Sequence, residues 1–146
     1  MIIQSIKFPD TPEEAVAVIN ELRPMLDAYF NEVDKRSSER MQTEMLVMMW
    51  HSFMIDFIEV VDHGERVGVL MFCVNDDTFL NMRGAMVLLA YTHPEYRGNG
   101  YFKAMLKHLR TISQARRFKY IDVPVNAEVE FSALGKLHIK TYREEM

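Results

Sequence analysis

Cysteine is almost missing: Cys73 is the single one in 146 residues. One thiol cannot close an intrachain disulfide, and no Cys/His spacing suits a metal, so neither a disulfide scaffold nor a metal site is expected. Long apolar runs are missing too; none reaches the roughly 18 residues of a membrane span. The first residues, Met1-Ile2-Ile3-Gln4-Ser5, lack the basic start and small-residue cleavage site of a leader peptide. Together these absences predict a cytoplasmic protein with no membrane association. No repeat, low-complexity tract or linker interrupts the chain. Its 49% hydrophobic and 26% charged content is ordinary for a globular protein. One domain over 1–146, with a sizeable core, is expected.

A further absence is local. From Arg97 to Lys119 there is no acidic residue, although the chain as a whole has 21 acidic and 17 basic residues. Seven basic residues fall in that window: Arg97, Lys103, Lys107, Arg110, Arg116, Arg117 and Lys119. Elsewhere 10 basic residues stand against all 21 acidic ones. A basic island in an acidic protein marks either an anion site or a solvated helix face. Nucleic acid is not the expected anion, because the acidic remainder would repel phosphates and no aromatic platform accompanies the island.

What is present reads as alternating strands and helices. Ile2 to Phe8 alternates as a strand. Thr11 suits an N-cap, with Pro12 at the first helical position and Glu14 three residues after the cap. The helix should run to about Phe30, with Val16, Ile19, Leu22 (or Arg23) and Leu26 as its buried stripe, and Pro24 as a place where it could kink or break. Glu32 to about Arg40 is charged and should be exposed. Met41, Met45, Met48 and Met49 follow helical spacing, as a core stripe or as an adaptable wall of a substrate pocket. Phe57–Val61 and Val67–Val74 form a hairpin turning at Gly64. Asn75 to Gly84 is polar and reads as a loop, Asp76 and Asp77 included.

Ala85 to Thr92 is nearly all apolar, which suits a central strand buried on both faces. Thr92-His93-Pro94-Glu95-Tyr96-Arg97-Gly98-Asn99-Gly100 is a glycine-bearing turn, and helical periodicity follows over 101–115. The first N–H groups of such a helix have no intrahelical partner and suit an anion. Gly98 and Gly100 permit positive φ and remove the Cβ atoms that would hold a ligand off. Tyr120 to Val125 is the next strand; its Pro124 leaves that end unpaired on one side, as a splay or as a sheet edge. Asn126 opens a short helix, Ala127 to Leu134, ending at Gly135, and Leu137 to Tyr142 is a final strand.

The run Pro94-Glu95-Tyr96-Arg97-Gly98-Asn99-Gly100-Tyr101-Phe102-Lys103-Ala104-Met105-Leu106 resembles the acyl-CoA signature of GNAT N-acetyltransferases, R/Q-x-x-G-x-G/A between a strand and a helix. Arg97 and Gly100 fit; Phe102 stands where the family prefers Gly or Ala. Its place in the stripe Phe102, Met105, Leu106, Leu109, Ile112 predicts that the ring faces the core. Were it to face the turn, it would close the diphosphate pocket.

The resemblance implies an α/β fold with a mixed sheet, parallel strands at 85–92 and 120–125 that splay apart, and a right-handed crossover helix between them. It also implies transfer of an acetyl group from acetyl-CoA to a primary amine of a small molecule or protein. Gly98, Gly100, Tyr101 and Phe102 would hold the diphosphate, with Arg97, Asn99 and Lys103 completing the turn. Ala90, Tyr91 and Thr92 would meet the thioester and pantetheine, with Asn126 beside them. Phe131 stands where many members carry the tyrosine that protonates the leaving thiolate; Tyr142 or Tyr91 could substitute, though nothing requires a substitute. Glu59, beside Phe57 and Val61, is the candidate general base, with a salt-bridged structural glutamate as the alternative. His93 reads as a surface residue and Cys73 as core packing. The late helix and tail are shorter than the family's, which leaves the sheet open to completion by a second copy of the chain. A catalytically degenerate acyl-CoA-binding or structural relative is the competing reading.

Overall fold

The computed structural model describes residues 1–33, 42–125 and 140–146. Within them the order is β1 (Ile2–Ser5), α1 (Pro12–Val33), α2 (Thr43–His51), β2 (Ile55–Asp62), β3 (Glu65–Asp77), β4 (Met82–Thr92), α3 (Tyr101–Ala115), β5 (Tyr120–Val125) and β6 (Lys140–Glu145). The six strands form one sheet in sequence order. Every neighbouring pair is antiparallel except β4 and β5, which are parallel and joined through α3. The expected α/β class and the parallel pair are therefore present, with a mixed sheet between helices.

Strand alternation sorts the core onto two faces. Phe57, Val69, Met71, Leu89 and Tyr91 point to one face and pack with Ile19, Leu22, Leu26 and Phe30 of α1 and Leu46 and Trp50 of α2. Ile58, Val60, Leu70, Phe72, Ala85, Val87 and Ile121 point to the other face and pack with Met105 and Leu109 of α3. The capping prediction holds locally: the Glu14 N–H donates to Thr11 Oγ1 at 3.2 Å, and Glu14 Oε2 accepts from the Asp10 N–H at 3.0 Å. Turn His63-Gly64 has positive φ at both residues, 51° and 78°, which matches the twist of a two-residue hairpin.

Several expectations need correction. The first strand stops at Ser5 rather than Phe8. Helix α1 runs through Pro24 to Val33 without ending there. Its buried stripe uses Ala15, while Val16 lies outside the core at 38% exposure, one position round the helix. Met45 and Met48 are exposed, at 40% and 68%, because Leu46 and Trp50 turn α2's apolar face inward instead. Met41 lies outside the described residues. The segment 75–84 is not a loop: β3 and β4 extend their ladder to Asp77 and Met82, leaving only a four-residue turn. There Gly84 is required by close packing, since a Cβ would stand 2.5 Å from the Tyr120 ring. The short helix 127–134 and residues 137–139 of the predicted last strand lie outside the described residues; β6 itself begins at Lys140.

Candidate functional site: a cleft between diverging parallel strands

Two irregularities of β4 make the site. The first is a bulge. Met71 pairs with Leu89 and Phe72 with Val87, so Leu88 is an extra residue opposite β3. A bulge bends its strand and increases its twist. The second is the brief contact with β5. The parallel register holds only at Ala85↔Ile121 and Met86↔Asp122. Beyond it β5 stays paired with β6 through Val125↔Lys140, while β4 turns away. Among the described residues, the backbone of β4 from Val87 onward therefore has no strand paired on its β5 side.

That gap is the mouth of a cleft of about 820 Å³. Its walls are Val87 to Thr92 of β4 and Val123 of β5, and it runs to the turn before α3. In that turn Pro94–Tyr96 forms one 3-10 turn and Arg97 is extended. Gly98 (φ 86°) and Gly100 (φ 77°) then take left-handed conformations that lead into α3. Gly100 is the N-cap, and no side chain caps the helix. Among the described residues, a Cβ built at Gly98 or Gly100 would meet nothing within 4 Å, so the turn is open beside both glycines. An uncapped, unobstructed helix N-terminus suits a diphosphate.

Among the residues proposed for the cofactor, Ala90, Tyr91, Thr92, Arg97, Gly98, Gly100, Tyr101, Phe102 and Lys103 line this one cleft. Asn99 does not: its Nδ2 donates to the Tyr96 carbonyl at 3.1 Å, inside the turn. Asn126 and Phe131 lie outside the described residues, and Tyr142 is described only in its backbone. Phe102 departs from its predicted orientation. It is 41% exposed and on the cleft wall, because the buried row of α3 runs through Met105, Leu109 and Ser113. One residue of rotation puts its ring outside the core and beside the glycine turn. The basic island also divides. Arg97 and Lys103 reach the cleft. Arg110 instead holds both oxygens of Glu144 at 2.9 Å, and Arg116 pairs with Asp56 at 3.4 Å.

Glu59 is buried, but outside this cleft. Gln4 Nε2 donates to its Oε1 at 2.9 Å and Arg66 Nε to its Oε2 at 2.6 Å. It stands opposite Val69, which in turn stands opposite Tyr91, so β3 separates it from the cleft wall. Cys73 packs against the α1/α2 core, and burial pushes its thiol up.

Two cleft residues have no sequence signal of their own, Tyr29 and Glu32 on the last turns of α1. Burial raises the Tyr29 phenol above its usual range. Glu32 accepts from Arg97 Nη2 at 2.8 and 3.0 Å. Arg97 Nε also donates to the Thr92 carbonyl at 2.9 Å, and its guanidinium carbon stands 5.3 Å from the centre of the Tyr91 ring. Glu32 pushes the Arg97 guanidinium above its ordinary value, so that residue is a fixed positive charge. Among the described residues no group of His, Cys, Asp and Glu is arranged to hold a metal, and no helix is long and apolar enough to cross a membrane.

Residues 19–134 match the family model described as the acetyltransferase (GNAT) family. No curated protein matches the chain by sequence. Solved structures share the fold. A ribosomal-protein-alanine N-acetyltransferase from Brucella melitensis biovar Abortus 2308 is 16% identical with a TM-score of 0.64, over 84% of this chain and 77% of that one. An aminoglycoside acetyltransferase from an uncultured soil metagenomic sample, in complex with sisomicin, is 14% identical with a TM-score of 0.67, over 85% and 76%. A predicted acetyltransferase with acetyl-CoA from Clostridium acetobutylicum is 17% identical with a TM-score of 0.62, over 92% and 83%. At such identities the likeness carries the fold and not the acceptor.

Proposed function

The chain belongs to the GNAT acetyltransferase family, and from that premise we propose that it transfers an acetyl group from acetyl-CoA to a primary amine in the cytoplasm. One observation carries the reading: among the described residues, β4 and β5 part after two parallel residue pairs, and the cleft between them runs to a helix N-terminus with no side-chain cap and open space beside its glycines. A long donor with an anionic middle and a thioester end matches that shape. Two of the structural neighbours, an aminoglycoside acetyltransferase and a ribosomal-protein-alanine N-acetyltransferase, act on amine acceptors, which fits the same chemistry.

In this reading the N–H groups from Gly98 to Phe102 hold the diphosphate, with Lys103 adding positive charge. The exposed backbone of β4 from Val87 to Thr92 pairs with the pantetheine arm, as a missing strand would. Its N–H groups polarise the thioester carbonyl toward the oxyanion that develops as the amine nitrogen attacks. The ammonium first loses one proton to solvent; the nitrogen–carbon bond then forms and the carbon–sulfur bond breaks, the nitrogen gives a second proton to solvent as the neutral amide forms, and the thiolate takes one up, for a net release of one proton. Positioning and carbonyl polarisation are the main contributions, since Phe131 has no proton to give and Glu59 stands outside the cleft. General acid–base help is worth about 10²–10⁴-fold where present, so its absence slows such a reaction without abolishing it.

The test is thiol release from acetyl-CoA across a panel of small amines and peptide N-termini. Amine-dependent release supports the enzyme. Tight CoA binding with no release for any amine would make the protein a degenerate acyl-CoA-binding relative.

A further inference from the structure

The cleft owes its shape to the place where β5 leaves β4, and a cluster of side chains marks that place. Strands β5 and β6 are paired from Tyr120↔Glu145 to Val125↔Lys140. Among the described residues, β5 meets β4 only at Ala85↔Ile121 and Met86↔Asp122. Strands β5 and β6 thus form an arm joined to the sheet at one end, and Val123 of that arm lines the cleft. Ile121 and Val123 pack on the α3 side of the sheet. By strand alternation Tyr120 and Asp122 point to the opposite face.

On that face the arm is tied back across β4. The Tyr120 ring fills the space that a Cβ at Gly84 of β4 would need. Its hydroxyl reaches past β4 and donates to the Asn75 carbonyl of β3 at 3.2 Å. Arg143 of β6 lays its guanidinium on the same ring, 3.9 Å from the centre. Its Nε and Nη2 donate to the two oxygens of Asp122 at 2.7 and 2.9 Å, and its Nη1 donates to Asp77 of β3 at 3.1 Å. The ring is buried and Asp122 is 5% exposed, so the middle of the tie is shielded from water. A planar guanidinium fork fixes direction as well as distance. The ring and the fork together join β5 and β6 to β3, over the strand between them.

Direction matters because the arm is a lever. From Asp122 to Val125 it extends about 10 Å at the usual rise of a strand, so a rotation of about 10° at the tie moves its tip by about 2 Å. A misplacement of about 1 Å at a reacting group costs about a hundredfold in rate. We propose that Tyr120 and Arg143 are positioning residues: their tie sets the angle of the β5–β6 arm, and with it the width of the wedge in which the thioester lies against β4. This inference rests on the acetyl-CoA reading. The tie lies at the Met86 end of β4, whereas the glycine turn follows its Thr92 end. Losing the tie therefore misplaces the thioester while the donor's anionic anchor stays intact.

The test compares the full chain as wild type, as Tyr120→Phe, as the pair Asp122→Asn with Arg143→Gln, and as Ile19→Val, a core control remote from the tie. The pair removes both charges together, because removing one leaves the other buried and uncompensated. The first readout is amide hydrogen exchange by mass spectrometry. In the paired variant exchange should quicken about tenfold more over 120–125 than over α1 and β2, whereas a global loss of stability quickens the slow amides of every element alike. The second readout is thiol release at saturating acetyl-CoA, with an amine that the wild type accepts. There kcat should fall about ten- to a hundredfold in the paired variant, and about two- to tenfold in Tyr120→Phe, which loses only the bond to Asn75. The calorimetric Kd for CoA should stay within about twofold in both. Ile19→Val should lower Tm and leave kcat unchanged. Equal exchange gains across the elements, or wild-type kcat in both tie variants, overturn the proposal. If the paired variant does not fold, Tyr120→Phe decides alone by the same two readouts. If the wild type releases thiol with no amine, the acetyl-transfer reading fails, and the exchange readout by itself decides whether the tie holds the arm.

Discussion

Replacing Gly100 by aspartate puts a carboxylate in the open space before the first N–H groups of α3. Gly100 is left-handed, at φ 77° and ψ 18°, and a Cβ there touches nothing within 4 Å. A side chain is therefore tolerated sterically, at a strain cost of roughly 1–2 kcal/mol for a non-glycine residue in this conformation. Asparagine has nearly the same shape and the same tolerance of left-handed backbone, so Gly100→Asn isolates strain from charge. In wild type, acetyl-CoA at a hundredfold excess over Kd stabilises by about 2.7 kcal/mol. For a chain of this length that raises Tm by about 5–11 °C. A carboxylate about 4 Å from one phosphate charge, at an effective dielectric near 20, costs about 4 kcal/mol. That is about a thousandfold in affinity, and it reduces the ligand's stabilisation to about 0.1 kcal/mol at the same concentration. Thermal melts with and without acetyl-CoA read the difference. Gly100→Asp should lose the shift while Gly100→Asn keeps most of it. A full shift in Gly100→Asp would refute a diphosphate at this turn, and equal loss in both variants would make loop geometry, not charge, the cause.

Three other substitutions probe the same structure. Phe102→Ala removes a ring from the cleft wall and should leave Tm nearly unchanged; relief of crowding should tighten acetyl-CoA about two- to tenfold in a calorimetric titration. Glu59→Gln breaks the carboxylate's ion pair with Arg66 outside the cleft, so urea unfolding should show a loss of about 1–3 kcal/mol while kcat holds. A fall in kcat confined to the acidic limb of the pH profile would instead restore Glu59 as the base. Gly84→Ala drives a methyl into the Tyr120 ring, which also carries Arg143 at 3.9 Å; overpacking of this kind costs about 1–3 kcal/mol and should lower Tm without changing the CoA affinity of the folded protein.

The sequence made the strand–turn–helix legible because three local signals coincide there. An apolar run marks the central strand, two glycines mark the positive-φ turn, and 3.6-residue periodicity marks a helix whose bounds, Tyr101–Ala115, match the expectation. The hairpin at Gly64 was legible for the same reason. Phe102 was not: it fits the helical spacing of Met105 and Leu109, but the buried row runs one residue round the helix from it, through Met105, Leu109 and Ser113. Met45 and Met48 mislead similarly, because Leu46 and Trp50 offer α2 a competing apolar face, and only packing against α1 and β2 decides between them. The bulge at Leu88 leaves no mark in an apolar run where each residue suits either face. Glu32 and Tyr29 reach the cleft through the length of α1, and Glu32 meets Arg97 across 65 positions of sequence. No local pattern encodes such a meeting.

The most direct measurement is a crystal structure of the protein with CoA. The pantetheine should lie along Val87 to Thr92, its sulfur between β4 and β5, with the diphosphate on the N–H groups following Gly98. CoA bound elsewhere, or β4 and β5 closed into a continuous ladder beyond Met86 and Asp122, would contradict the reading of this cleft as the donor site.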